Sequence, residues 1–120
     1  MTGRISDWQV EQWLAELSGD TWMALHFDNP DVAGAYNSEL SGQGYARQKV
    51  TMGATANRAV WNSGAVIFAG LPASIITHIC GWDAAVNGNL RFSIALPNPL
   101  RILAGSRQSF ASGVLAVSLD

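Results

Sequence analysis

Residues 74–96 read SIITHICGWDAAVNGNLRFSIAL, and the pattern of this stretch sets the fold class. Residues 74–82 carry Ile75, Ile76, Thr77 and Ile79, β-branched side chains that pack well on a pleated surface and lose rotamer freedom in a helix. In residues 90–96, Leu90, Phe92, Ile94 and Leu96 point one way, and Arg91, Ser93 and Ala95 the other. That is the period of a strand with one buried face. Between the two runs stands Asn87-Gly88, a pair suited to the positive φ that a type I′ turn needs at both central positions. It predicts a two-residue hairpin joining residues 84–86 to the strand at residue 90. Pro97 and Pro99 lack the amide hydrogen of a ladder and predict the end of that strand.

Working outward, further strands are expected over residues 21–27 (TWMALHF), 45–52, 60–61, 65–68, 101–103, 109–111 and 114–119. Short strands at intervals of roughly ten residues point to a sandwich or jelly roll. In residues 45–52, Tyr45, Arg47, Lys49 and Thr51 alternate with Ala46, Gln48, Val50 and Met52. Only the start of the chain has helical period. Ser6 is a suitable N-cap with Gln9 three residues on, and Ile5 and Val10 occupy the staple positions. Val10, Trp13, Leu14 and Leu17 form one apolar stripe, and Gly19 is a suitable stop. The expected architecture is therefore mostly β. A jelly-roll-like β-sandwich over residues 21–120 follows an N-terminal segment, residues 1–20, that carries one short α-helix at residues 7–17. A helix this short is marginal alone in water, so its stripe needs a docking surface, either its own sheet or a neighbouring subunit. Residues 28–44 (DNPDVAGAYNSELSGQG) are too long and polar for a tight turn and predict a surface loop.

With 120 residues the chain has room for one core. Charged residues make up 13%, about half the usual share, so part of the surface is expected to be covered by other subunits, including copies of the chain in a homo-oligomer. The seven Lys and Arg are scattered, with no basic block to neutralise phosphates, which argues against nucleic acid as a partner. No apolar run approaches the ~18 residues of a membrane span. The first residues lack the apolar core of a signal peptide, so the chain is expected to be made in a cytoplasm.

Catalysis needs convergent titratable groups, and few are offered. No spacing favours a glycosidase pair among Asp28, Asp31, Glu39 and Asp83, nor an EF-hand among the first three of these. His78 and Cys80 lie nearly 7 Å apart along a strand, too far for easy proton transfer. Cys80 reads as a buried filler and has no disulfide partner in the chain. His26 and His78 read as ordinary sheet histidines rather than a shared metal site. No cofactor and no metal are expected. Trp22, Trp61 and Trp82 fall on or beside predicted strands and read as core, with a sugar-binding platform as the alternative.

In order, Ala24-Leu25-His26, Asp28-Asn29-Pro30, SGQGYARQ at residues 41–48, FAGLPA at 68–73, Thr77-His78, GWDA at 81–84, NGNL at 87–90 and LAVSL at 115–119 resemble a family of small tail-fibre-like or minor tail proteins of actinobacterial phages. The likeness covers residues 22–120. It implies a β-sandwich virion component without catalytic activity, so there are no family catalytic residues to carry over. The chain departs from the family pattern at Ile79-Cys80, and at Arg107, where an acidic residue often follows the late glycine. The expected function is a tail-tip or fibre-associated subunit that contacts other phage structural proteins. A capsid decoration protein and a module binding host-surface glycan are the alternatives. The candidate contact residues are Trp8, Trp13 and Leu17 on the helix, and Asp31, Tyr36, Glu39 and Tyr45 in and beside the long loop.

Overall fold

The structure is a computed structural model that describes residues 1–53 and 57–119. It is mostly β. Helix α1 (Asp7–Ala15) opens the chain, capped by Ser6, whose Oγ accepts the Gln9 N–H at 3.2 Å. It ends two residues short of expectation because the last turn tightens: Leu17 N–H donates to Leu14 O at 2.9 Å and Ser18 N–H to Ala15 O at 3.1 Å. Such i→i+3 bonds satisfy carbonyls that an α-helix leaves unpaired at its end. Gly19, at φ 98°, then turns the chain into the sheet.

Four antiparallel strands make the main sheet: β1 (Gly19–His26), β2 (Gln48–Met52), β5 (Ser74–Trp82) and β6 (Leu90–Ile102), in the order β2-β1-β5-β6. Two antiparallel ribbons accompany it. One joins β3 (Ala59–Trp61) to β8 (Ala116–Ser118), and the other joins β4 (Val66–Leu71) to β7 (Ser106–Phe110). The chain thus has the sandwich architecture that its alternation and turn residues predicted.

The main sheet buries side chains on both faces. One carries Met23, Leu25, Val50, Met52, Ile79 and Phe92, which pack in one cluster with Val60, Val66, Phe68 and Leu71 of the ribbons and with Val10 and Leu14 of α1. The helix therefore docks on its own core, and Glu11 Oε1 fastens it by accepting the Arg58 N–H at 3.0 Å. Trp13, expected in the docking stripe, lies outside it and is 45% exposed. The helix turns Val10 and Leu14 inward, half-buried Leu17 joins them from the turn after it, and the wide indole falls beyond the edge of that stripe. On the same side of the sheet, Gly81 faces the Phe92 ring so closely that an added Cβ would lie 2.3 Å from it. Glycine is required there for close approach.

Two expectations need correction. Pro97 and Pro99 do not end β6. Ile76 pairs with Leu100 and His78 with Ala95, so residues 96–99 bulge out opposite Thr77 alone, and the ladder then resumes. Extra residues in a bulge leave ladder positions unpaired, and β6 is an edge strand, so missing amide hydrogens are tolerated there. The run at residues 101–103 therefore lies largely within β6. Asn87 and Gly88 do take the expected positive φ, 58° and 79°, but not as a two-residue hairpin. β5 stops at Trp82 and β6 starts at Leu90, leaving residues 83–89 as a loop. Asp83 organises this loop from within, accepting the Asn89 N–H at 2.7 Å and Asn89 Nδ2 at 2.9 Å.

Candidate functional site

The second face of the main sheet presents Trp22, Ala24 and His26 from β1, with Cys80 and Trp82 from β5. Ala24, Cys80 and Trp82 form a small apolar cluster, flanked by Trp22, Ala35 and Leu90. Residues 28–47 cover it, and they are not the open surface loop that their polarity predicted. A short helix, α2 (Pro30–Ala33), starts at Asn29, whose side chain accepts the Asp31 N–H at 2.9 Å. Residues 38–40 then return to the edge of β1 beyond the end of β2. Phe27 N–H donates to Ser38 O and Leu40 N–H to Leu25 O, both at 2.9 Å. Leu25 N–H lies between these bonds and the β2 ladder, and the Tyr45 hydroxyl accepts it at 3.1 Å. Ser38 and Leu40 are buried as a result.

Arg47 precedes β2 and extends its alternation onto this face. Its guanidinium is held from every direction. Nε and Nη2 donate to the two Glu39 oxygens at 2.9 and 2.8 Å, and Nη1 donates to Ala84 O and Asn87 O at 2.9 and 2.7 Å. The plane lies 4.0 Å from the Trp82 ring centroid, where the π face attracts a cation. Burial pulls the Glu39 carboxyl up, but hydrogen bonds from Arg47 and Tyr45 and the Arg47 charge outweigh it and hold the group below the usual carboxylate range. Burial likewise acts against the Arg47 charge, and Glu39 overcomes it. Tyr45 closes the arrangement by donating to Glu39 Oε2 at 2.6 Å. Burial, then Glu39, push its phenol upward.

Trp82 is the centre of the face. Tyr36 stacks on it at 5.2 Å, and His26 lies nearly parallel at 6.0 Å. The Tyr36 hydroxyl donates to Gly88 O, tying the covering segment to the 83–89 loop. His26 and His78 are direct partners across β1 and β5, but they are engaged separately. His26 contacts Ser38 and Trp82, and His78 Nδ1 contacts Thr77 Oγ1 at 2.8 Å. Cys80 is fully buried and its thiol is pushed up to about 12 by that burial, which leaves it a poor nucleophile at neutral pH.

Above this frame a groove of about 510 Å³ opens between residues 39–47 and 85–87, with Trp22 and Tyr36 on its walls. Of the candidate contact residues, Tyr36, Glu39 and Tyr45 meet here. Asp31 is exposed on α2 and outside the groove lining, while Trp8 and Trp13 stand on α1 and Leu17 in the turn that follows it, at the main-core side. The three strand tryptophans do not form one platform, since Trp82 is buried and Trp61 belongs to the β3–β8 ribbon. Glu39 is committed to Arg47 and Tyr45, which removes it from both the glycosidase pair and the calcium set considered for the loop. Arg47, Trp82 and His26 were not among the expected contact residues. The alternation that places Arg47 on the Trp22 side was the one available signal for it.

Residues 5–118 match the family described as Podophage GP4 fiber I protein gp80. No curated protein matches the chain.

Proposed function

The chain belongs to the podophage GP4 fiber I protein gp80 family, and on that premise we propose that it is a non-enzymatic, fibre-associated subunit at the tail tip. The coarser part follows from the family: the chain is a tail-fibre protein and a structural component of the virion. The match over nearly the whole chain carries this reading. Two surfaces support the finer one. Trp8 is 69% exposed on a helix whose inward face is already committed to its own core, so it is free to anchor a neighbouring phage protein or a second copy of the chain. Tryptophan is among the residue types enriched at the anchors of such contacts. On the opposite face of the sheet, the groove presents Tyr36 at its lip over a rigid hydrogen-bonded base.

Localisation in the particle tests the proposal. Cryo-EM or immunogold labelling should place the chain on the tail fibres, and density on the capsid lattice would instead make it a head decoration protein. Trp8→Ser should weaken incorporation into particles without lowering the stability of the isolated chain. A second reading, binding of host-surface glycan, rests on the aromatic walls that Trp22 and Tyr36 give the groove. It expects glycan-array binding that Tyr36→Ala abolishes.

A further inference from the structure

Asn87 and Gly88 stand in the 83–89 loop with an exposed side chain followed by none. Among the described residues, neither the Asn87 side-chain amide nor the Gly88 N–H has a hydrogen-bond partner. Their carbonyl oxygens, by contrast, are both in use. Asn87 O accepts from Arg47 Nη1 at 2.7 Å, and Gly88 O accepts from the Tyr36 hydroxyl. Asparagine is among the thermolabile residues, and glycine after it leaves the attacking nitrogen unhindered.

We propose that the Asn87–Gly88 linkage is a site of spontaneous deamidation whose isoaspartyl product rewires Arg47. The loop first leaves its left-handed conformation, which no strand ladder prevents. The Gly88 nitrogen attacks Asn87 Cγ. A new N–Cγ bond forms, the Cγ–Nδ2 bond breaks, and the Gly88 proton leaves with the amide nitrogen as ammonia. One water then opens the cyclic imide. Opening at the former side-chain carbonyl gives aspartate with the main chain unchanged. Opening at the Asn87 main-chain carbonyl gives isoaspartate, in which the chain runs through Cβ.

The two products act differently on the site. In isoaspartate, the neutral oxygen that Arg47 held becomes part of a free carboxylate, and charge-assisted bonds are stronger than neutral ones. Arg47 then faces this group and Glu39 at once. The inserted methylene also carries the Gly88 carbonyl away from Tyr36, which releases the lip of the groove. Aspartate leaves both carbonyls in place.

The test ages the full chain in mildly alkaline buffer at physiological temperature and is independent of the family reading. The native chain should gain about 1 Da, and peptide mapping should locate the change at Asn87 as a mixture of isoaspartate and aspartate. The isoaspartyl fraction should exchange amide hydrogens faster at residues 34–40 as well as 83–89. Asn87→Asp supplies the charge without the extra methylene and should exchange like the unaged chain. Three results overturn the proposal: a native Asn87 that stays intact, an isoaspartyl fraction as protected at residues 34–40 as the unaged chain, or an Asn87→Asp variant as loosened as the isoaspartyl fraction.

Discussion

The Trp82 indole N–H donates to His26 Nε2 at 3.3 Å, which fixes the imidazole as neutral. Its one proton then sits on Nδ1, 2.8 Å from Ser38 Oγ. A proton added to Nε2 would set N–H against N–H inside a site with no exposure to water. Burial, with smaller contributions from Arg47 and His78 and against the pull of Glu39, lowers His26 from 6.5 to about 4. The unfolded chain takes up this proton at 6.5, whereas the folded chain takes it up only near 4. Stability is therefore fully present above 6.5 and falls as the pH drops towards 4, by on the order of 3 kcal/mol. Urea midpoints measured across this range should show that slope, and His26→Gln should flatten it. A wild-type midpoint level throughout would contradict the assignment.

The Glu39–Arg47 pair is nearly closed to water, with side chains 15% and 4% exposed. Removing either charge strands the other. Glu39→Leu is expected to cost about 3–5 kcal/mol, and Arg47→Met a comparable amount. The double variant should be more stable than either single one. Denaturant unfolding of all four forms closes the cycle, and additive losses would show that the two charges are not coupled.

Thr21 is fully buried and its hydroxyl has no hydrogen-bond partner among the described residues. Thr21→Val keeps the branched shape and removes the stranded polar group. It should stabilise the chain by about 1 kcal/mol, read as a rise in the urea midpoint with an unchanged slope.

Gly81→Ala drives a methyl into the Phe92 ring, 2.3 Å from the position of its new carbon. The expected loss is about 1–3 kcal/mol. Combining it with Phe92→Leu should cost less than the sum of the two single changes. Equal or greater loss in the double variant would place the strain elsewhere.

How far these features could be read from the residues differs by element. β5 is where its isoleucines put it, and the Ser6 cap of α1 is the one expected, because both depend on local chemistry. The course of β6 was not legible, since nothing local says whether a proline sits in a paired or a bulged position. That depends on Thr77, a residue on another strand. The site divides in the same way. Tyr36, Glu39 and Tyr45, candidates because they lie in or beside the long loop, line one groove, whereas Arg47 reads as any scattered surface charge. Its burial comes from Glu39, Trp82 and two loop carbonyls, contributed by segments that only the folded sheet brings together. Residues 28–44 read as an open loop for a related reason. Their polarity is the polarity of groups that find partners along β1.

The bulge in β6 has a consequence for how copies of this chain meet. β6 is an outer strand, and Pro97 and Pro99 lie exposed along it. A neighbour's strand laid beside residues 96–99 would find no amide hydrogen at two of four positions and a backbone bent out of line. Runaway stacking of sheets edge to edge is thus interrupted midway along that strand. Contacts between copies along β6 are thereby left to side chains.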